Sequence, residues 1–300
     1  MTITNLIQND AIIGKIALEF FLQTGVVQVW GITSSGIFLG IPKSVLFLTN
    51  SPYFGPVNIV MNKPLPSWWK KGDLVEIIKT GSMLQFIHRS RQWVLQIKQI
   101  WETPEKPDFD IPSTEQLTRM LQAAQQFNVL KNNEGFTSLL LPIIRQECQI
   151  FLEDEWLVRS WETINLLKTA LIQQNLDLSL HYASLLIGSG KGLTPSGDDL
   201  LTGLVFLRNR WFPQIEWLAA FEDQLSNYFK EKTTAVSATL FDCARQGEAD
   251  ARIQEMCDVL MNSTIPFRQQ VLELARWGNS SGADIFMGFL VGLLSFSNPM

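Results

Sequence analysis

The sequence predicts an α+β protein, with a small barrel-like or sandwich-like β module at the N-terminus and a mainly α-helical domain after it. Three observations carry that expectation. Short runs rich in Val, Ile, Phe and Trp crowd the first third and alternate with turn residues. A stretch with three prolines, TPEKPDFDIPS at 103–113, breaks that pattern as a linker would. Beyond it apolar residues recur at helical spacing to the end, with no alternation of strands and helices of the doubly wound kind. The expected boundaries are a β-rich module over 1–102, a linker over 103–112 and an α-helical domain over 113–300.

The expected strands are VVQVWGI (26–32), GIFLGI (36–41), KSVLFLT (43–49), PVNIVM (56–61), DLVEIIK (73–79), SMLQFIH (82–88) and QWVLQIKQI (92–100). Turns at Ser34-Ser35-Gly36, Pro42, Asn50-Ser51-Pro52, Asn62-Lys63-Pro64, Gly72-Asp73 and Thr80-Gly81-Ser82 separate them. The first expected helix opens on Ser113 with Gln116 three residues on, a capping-box pattern, and places Leu117, Met120, Leu121, Ala124 and Phe127 on one face. Further helices are expected over 155–173, 177–188, 198–211, 216–230, 234–247, 249–261, 266–278 and 282–296. IFMGFLVGLLSF at 285–296 is too short to span a bilayer and reads as a buried helix, so no membrane role is expected. The tail SFSNPM is a helix stop expected to fray.

Composition narrows the function classes. The chain is 46% hydrophobic but only 18% charged, which suggests that a partner covers part of its surface. The net charge is −5 and no Lys/Arg cluster stands out, so a nucleic-acid footprint is not expected. Cys148, Cys243 and Cys257 lack C-x-x-C spacing and read as packing residues of a reduced, cytoplasmic protein; MTITNLIQND has no signal-peptide character. His88 and His181 have no second ligand at metal spacing; His181 reads first as a core or boundary residue and otherwise as an acid/base group reaching the loop, and Arg145, Arg208 and Arg210 first as exposed helix residues and otherwise as carboxylate clamps.

The stretch that invites chemistry is GSGKGLTPSGDDLLTGL at 188–204. It is not a Walker A loop, because Leu185 stands where the first glycine belongs and Gly192 follows Lys191. Gly188, Gly190 and Gly192 also miss the dinucleotide spacing, and no strand precedes them. Ser196 and Asp199 fit a short capping box, which leaves Asp198 as the uncommitted carboxylate. Gly197 is a poor first-turn residue and suggests that something approaches the backbone there.

The pattern occurs twice. Ser196, Gly197, Asp199 and Gly203 match Ser281, Gly282, Asp284 and Gly288 at a constant offset of 85. One reading is a duplicated helical hairpin, with Gly203 and Gly288 where two helices approach closely. The other is a pseudo-symmetric site at which two helix N-termini converge on one ligand. The helix ends and Lys191 favour an anion, and Asp198 suits an amide NH₂. The expected ligand is therefore small, with a carboxylate or phosphate beside an amide. No cofactor is expected; a Mg²⁺ held by Asp198, Asp199 and Asp284 is the alternative.

GKGLTPSGDDLLTGL together with GNSSGADIFMGFLVGL and the Thr233-Thr234-Ala235-Val236-Ser237 helix start resembles the AllH family. The match is specific in the α-domain and only general in the first third. The resemblance implies a subunit of oxamate carbamoyltransferase in allantoin and purine catabolism, making oxalurate and phosphate from carbamoyl phosphate and oxamate, or running the reverse. It also implies FdrA-like and AllG-like partner subunits. The S-T-R-T motif of other carbamoyltransferases is absent, so such chemistry would use a different site. On this reading Asp198, Asp199 and Lys191 carry the chemistry. Gly190, Gly192, Thr194, Ser196, Gly197, Thr233, Thr234, Asn279, Ser280, Ser281, Gly282 and Asp284 bind the substrate. The other readings are a non-catalytic ligand-binding or scaffold subunit and a Mg²⁺-dependent hydrolase of a small amide or phosphate compound.

Overall fold

The computed structural model describes residues 8–41, 44–109, 113–131, 134–147, 153–262 and 267–296. The N-terminal heptapeptide, Pro42, residues 110–112 of the linker, Cys148 and the tail beyond Phe296 lie outside them. The chain divides into two compact units, Met1–Pro104 and Glu105–Met300.

The first unit is a closed barrel of eight strands: β1 (Gln8–Gly14), β2 (Val26–Ile32), β3 (Ile37–Ile41), β4 (Ser44–Thr49), β5 (Asn58–Met61), β6 (Leu74–Thr80), β7 (Met83–His88) and β8 (Arg91–Trp101). Their order around the barrel is β1-β5-β4-β3-β2-β6-β7-β8. Pairing is antiparallel except between β4 and β5 and between β1 and β8, the pair that closes it. Closure removes the unpaired sheet edges that an open sheet would expose. The period-2 pattern sets the inside: Val27 and Val29 of β2 and Val75 and Ile77 of β6 are buried while their neighbours face out. Phe86 and Trp93 fill the core, their centroids 5.3 Å apart, with Trp69 5.5 Å from Trp93.

Every strand expected from alternation forms. β1 and the helix α1 (Lys15–Gln23) are additions. β1 mixes Asn9 and Asp10 among its apolar residues, and α1 has no side-chain cap and no acidic first turn, so neither announces itself. The helix is held by tertiary contact instead: Ala17 and Phe21 are buried, and Ala17 N donates to Pro56 O at 2.9 Å.

The second unit is helical: α2 (Ser113–Lys131), a 3-10 turn (Thr137–Leu139), α3 (Leu140–Arg145), α4 (Glu155–Ile172), α5 (Leu176–Leu186), α6 (Ser196–Trp211), α7 (Trp217–Lys232), α8 (Ala235–Arg245), α9 (Ala251–Val259), α10 (Arg268–Ala275) and α11 (Ser281–Phe296). Its core is built on α6 and α11, both buried on nearly every side. They cross in close contact through glycine. A Cβ on Gly203 would lie well under 3.0 Å from Ile285 O, and one on Gly288 would collide with Leu200 O and sit 2.6 Å from Leu204 N. The obstacles are backbone atoms, so relief requires the helices to part. Gly288→Ala is expected to cost about 1–3 kcal/mol, read as a lower midpoint of thermal unfolding. Gly25→Ala, with nothing within 4 Å of its Cβ, is the control and should stay within about 0.5 kcal/mol. Among the described residues no helix is long and apolar enough to cross a membrane.

The Gln116 amide donates to Leu260 O at 3.4 Å and to Met261 Sδ at 3.1 Å, joining α2 to the end of α9; the capping box expected at Ser113 falls outside the described side chains. One expectation is overturned here. Arg208 and Arg210 are buried, because α6 lies in the core over its whole length; Arg210 pairs with Asp258, and Arg208 Nε lies 3.6 Å from Glu222 Oε1. His181, by contrast, is exposed.

Burial pushes the Glu222 carboxyl up to about 7, against the opposing hydrogen bond from Asn209 and the charge of Arg208. A carboxyl raised on folding adds stability below its unfolded value, and that stability is lost as pH rises through the folded one. Wild-type stability attributable to Glu222 should therefore fall between pH 4.5 and about 7. Glu222→Gln should remove that slope, measured by urea unfolding across the pH range. An unchanged slope contradicts the assignment.

Candidate functional site

The two Ser-Gly-x-Asp helix starts have matching geometry. Gly197 packs on the last turn of α5, where a Cβ would collide with Leu186 O, and Gly282 packs on α10, where it would collide with Leu274 O. Gly197 N donates to Ser189 O at 2.9 Å and Gly282 N to Trp277 O at 3.0 Å. Leu186 matches Leu274 and Ser189 matches Trp277 at an offset of 88, against 85 inside the helices, so the first loop is three residues longer. Gly190 and Gly192 in that loop have φ of +121° and +101°, a backbone that side-chain-bearing residues rarely adopt.

This geometry corrects three sequence expectations. Gly197 is small because α5 is close, and its amide and that of Gly282 are already donating, so neither is available to an anion. Ser196 is not an N-cap: α6 begins at Ser196, and Pro195 precedes it as the cap, with no side-chain cap bond. Proline has no N–H for a capping-box carboxylate to reach. The first-turn amides of Asp198 and Asp199 donate to Pro195 O at 2.9 and 3.1 Å, as those of Ala283 and Asp284 donate to Ser280 O at 2.8 and 3.0 Å.

The third correction concerns which aspartate is uncommitted. Asp198 is the best-partnered of the three. Its Oδ1 accepts from Gly188 N at 2.8 Å and its Oδ2 from the Thr233 hydroxyl. Burial pushes this carboxyl up, opposed by the hydrogen bonds of Gly188, Thr233 and Ser237. Asp198 thus ties the start of the loop to the turn between α7 and α8. Thr234 reinforces the tie: its hydroxyl donates to Leu193 O at 2.6 Å and accepts from Ser237 N at 3.1 Å as the cap of α8.

Asp199 is 2% exposed, and its Oδ2 has no hydrogen-bond partner among the described residues. Burial and then the neighbouring Asp284 charge push its carboxyl well above the carboxylate range, opposed by the Ser281 and Thr194 hydroxyls. Asp198 and Asp199 have no cationic partner among the described residues. Asp284 is fully buried, with Oδ1 accepting from Phe136 N at 2.7 Å. Thr194 Oγ1 lies 3.0 Å from Ser281 Oγ, joining the long loop to the start of α11. The structure therefore brings together Thr194, Asp199, Ser281 and Asp284, with Asp198, Thr233 and Thr234 as the adjoining brace. Lys191, Gly190, Gly192 and Asn279 are exposed, and Ser280 is half-buried.

Sequence reasoning misses the far wall. Gly135, with φ +54°, presses its backbone against both Asp284 carboxylate oxygens, so that a Cβ would collide with them. Phe136 stacks on Trp156 at 5.2 Å, and Trp156 Nε1 donates to Ser189 Oγ at 2.8 Å. Gly135-Phe136 stands 149 residues before Asp284 and belongs to no spacing pattern; the positive-φ glycine is its one local signal. Among the described residues no group of three or more His, Cys, Asp and Glu side chains is placed to hold a metal ion, so the three aspartates do not form the Mg²⁺ site entertained from sequence. Cys243 and Cys257 are buried, and burial pushes both thiols up, away from the reactive thiolate.

Residues 186–293 match the family model described as oxamate carbamoyltransferase subunit AllH. The matched segment runs from the end of α5 into α11 and contains both Ser-Gly-x-Asp starts, but none of the barrel. No curated protein and no solved structure matches the chain. Over the segment that carries the paired aspartates, the chain is similar to the AllH family.

Proposed function

We propose that the chain is an AllH-type subunit of a carbamoyltransferase acting on carbamoyl phosphate and oxamate, in either direction, within a complex with FdrA-like and AllG-like subunits. The observation that carries this reading is the coincidence of the family segment with a buried aspartate whose Oδ2 lacks a partner. In the forward step the oxamate amide nitrogen attacks the carbamoyl carbon. The carbon–oxygen bond to phosphate breaks, phosphate leaves with the electron pair, and one N–H proton passes to a base. Asp199, its carboxyl pushed well above the carboxylate range by burial and by Asp284, is the group assigned to that proton transfer. Thr194 and Ser281 orient the reacting amide, and Lys191 meets the anionic end from the exposed loop. Asp198, Thr233 and Thr234 hold the loop in place.

The burial of all three aspartates favours a second reading, a non-catalytic subunit whose paired helix starts are structural. Phosphate release from carbamoyl phosphate in the presence of oxamate separates the two. It is measured with the chain alone, with the partner subunits alone and with both. Release by the chain alone, or release by the complex that is lost on Asp199→Asn, supports the transferase. Release by the complex that is indifferent to Asp199→Asn supports the structural subunit.

A further inference from the structure

We propose that Asp199 and Asp284 hold one proton between them and recognise the uncharged carboxamide or carbamoyl end of the ligand, leaving its anionic end to be met outside the pair. This deepens the reading of the site given above and uses it only to choose the probes.

The argument starts from the helix crossing. Leu200 and Ile285, the residues that follow Asp199 and Asp284, are the ones whose carbonyls meet Gly288 and Gly203. The two aspartates therefore emerge side by side from the first turns of α6 and α11, with the Thr194 and Ser281 hydroxyls 3.0 Å apart beside them. Both are buried, Asp199 has no cation against it, and two ionised carboxylates cannot share such a place cheaply. One proton on the pair resolves the conflict, as in other carboxyl dyads. The second observation is independent of charge. Asp199 Oδ2 is 98% shielded with its residue yet has no hydrogen-bond partner, which is a costly state for a polar atom unless a ligand completes it.

An acid–carboxylate pair offers one donor and several acceptors. A primary amide or carbamoyl group offers the complement, a carbonyl acceptor and two N–H donors. A carboxylate or phosphate offers acceptors alone and adds charge. The amides that would welcome an anion at the helix starts, Gly197 N and Gly282 N, already donate to Ser189 O and Trp277 O. Lys191 sits on the exposed loop, three residues longer than its counterpart, where an anionic end can meet it without entering the pair.

Matched ligands test the recognition by isothermal titration calorimetry on the full chain: oxamate against oxalate, and carbamoyl phosphate against acetyl phosphate. The amide-bearing member of each pair should bind at least about tenfold tighter, the equivalent of one well-made hydrogen bond. Equal binding within both pairs, or no binding by either amide-bearing member, overturns the proposal. The proton is tested separately at pH 7, by the infrared difference between wild type and Asp199→Asn/Asp284→Asn. The band of a protonated carboxylic acid should be present in wild type and missing from the variant; its absence from the difference spectrum also overturns the proposal. Amide preference without phosphate release from the complex would sink the transfer reading and leave this one standing. Phosphate release inhibited equally well by oxalate and by an amide analogue would do the reverse.

Discussion

Asp199→Asn is expected to lower carbamoyl transfer about 100-fold or more while raising the thermal stability of the chain. The first effect follows from general acid–base catalysis, which contributes roughly 10²–10⁴ in rate. The amide of Asn occupies the same volume but neither takes nor gives a proton at neutral pH, so kcat should fall. The second effect follows from the sign of the pKa shift. Burial and Asp284 raise the Asp199 carboxyl on folding, so its contribution to stability is present at acid pH and is lost as pH rises through the folded value. Removing the titrating group should raise the unfolding midpoint, and the gain over wild type should grow with pH. Asp284→Asn should behave differently. Asp284 Oδ1 receives the Phe136 amide at 2.7 Å, so an Asn placed with its NH₂ there leaves a buried donor facing a donor. Steady-state phosphate release and thermal melts at pH 6 and pH 8 check both. A variant Asp199→Asn that keeps its activity and loses stability would show that the residue is a structural brace.

The barrel was legible because its strands are half-buried and the side-chain period reports which half. β1 and α1 were not, because their stability comes from partners far away in sequence, Met61 and Val94 among the strands and Pro56 under the helix. The repeat at an offset of 85 located the crossing of α6 and α11, since glycine in a buried helix is costly and two of them in register imply a close approach. The hydrogen bonds of the aspartates run against the local capping rule. A local rule assigned Asp199 to a cap and left Asp198 over, but the cap is a proline and the partners of Asp198 come from the next turn, Thr233 and Ser237. The short-range rule loses at the start of α6 because tertiary donors reach the buried carboxylate of Asp198 there.

Breaking the Arg210–Asp258 pair is expected to destabilise the helical unit by about 3–5 kcal/mol, although neither residue touches the aspartate pair. The geometry is bidentate, Arg210 Nε to Asp258 Oδ1 at 2.6 Å and a terminal guanidinium nitrogen to Oδ2 at 2.7 Å. Trp211 Nε1 and Gln254 Nε2 each add a bond to the same carboxylate at 3.2 Å. Asp258→Ala leaves a guanidinium buried in a core with its main counter-charge removed, and this stranded charge, more than the lost attraction, sets the cost. Replacing both partners by leucine should recover most of the loss, since the desolvation of two ions disappears with them. A thermodynamic cycle of Arg210→Leu, Asp258→Leu and the double variant measures the difference; the double variant should lie well above either single one. If it lies at their sum, the two residues act independently and the pair is not what fixes the C-terminal half of α6. The consequence for the site is mechanical. The same helix carries Asp199 at its N-terminus and Arg210 near its C-terminus, and its crossing with α11 leaves no room for sliding at Gly203 and Gly288. Holding the far end of α6 therefore holds Asp199 against Asp284, and the single variants should lose amide preference in the titration along with stability, while the double variant regains both.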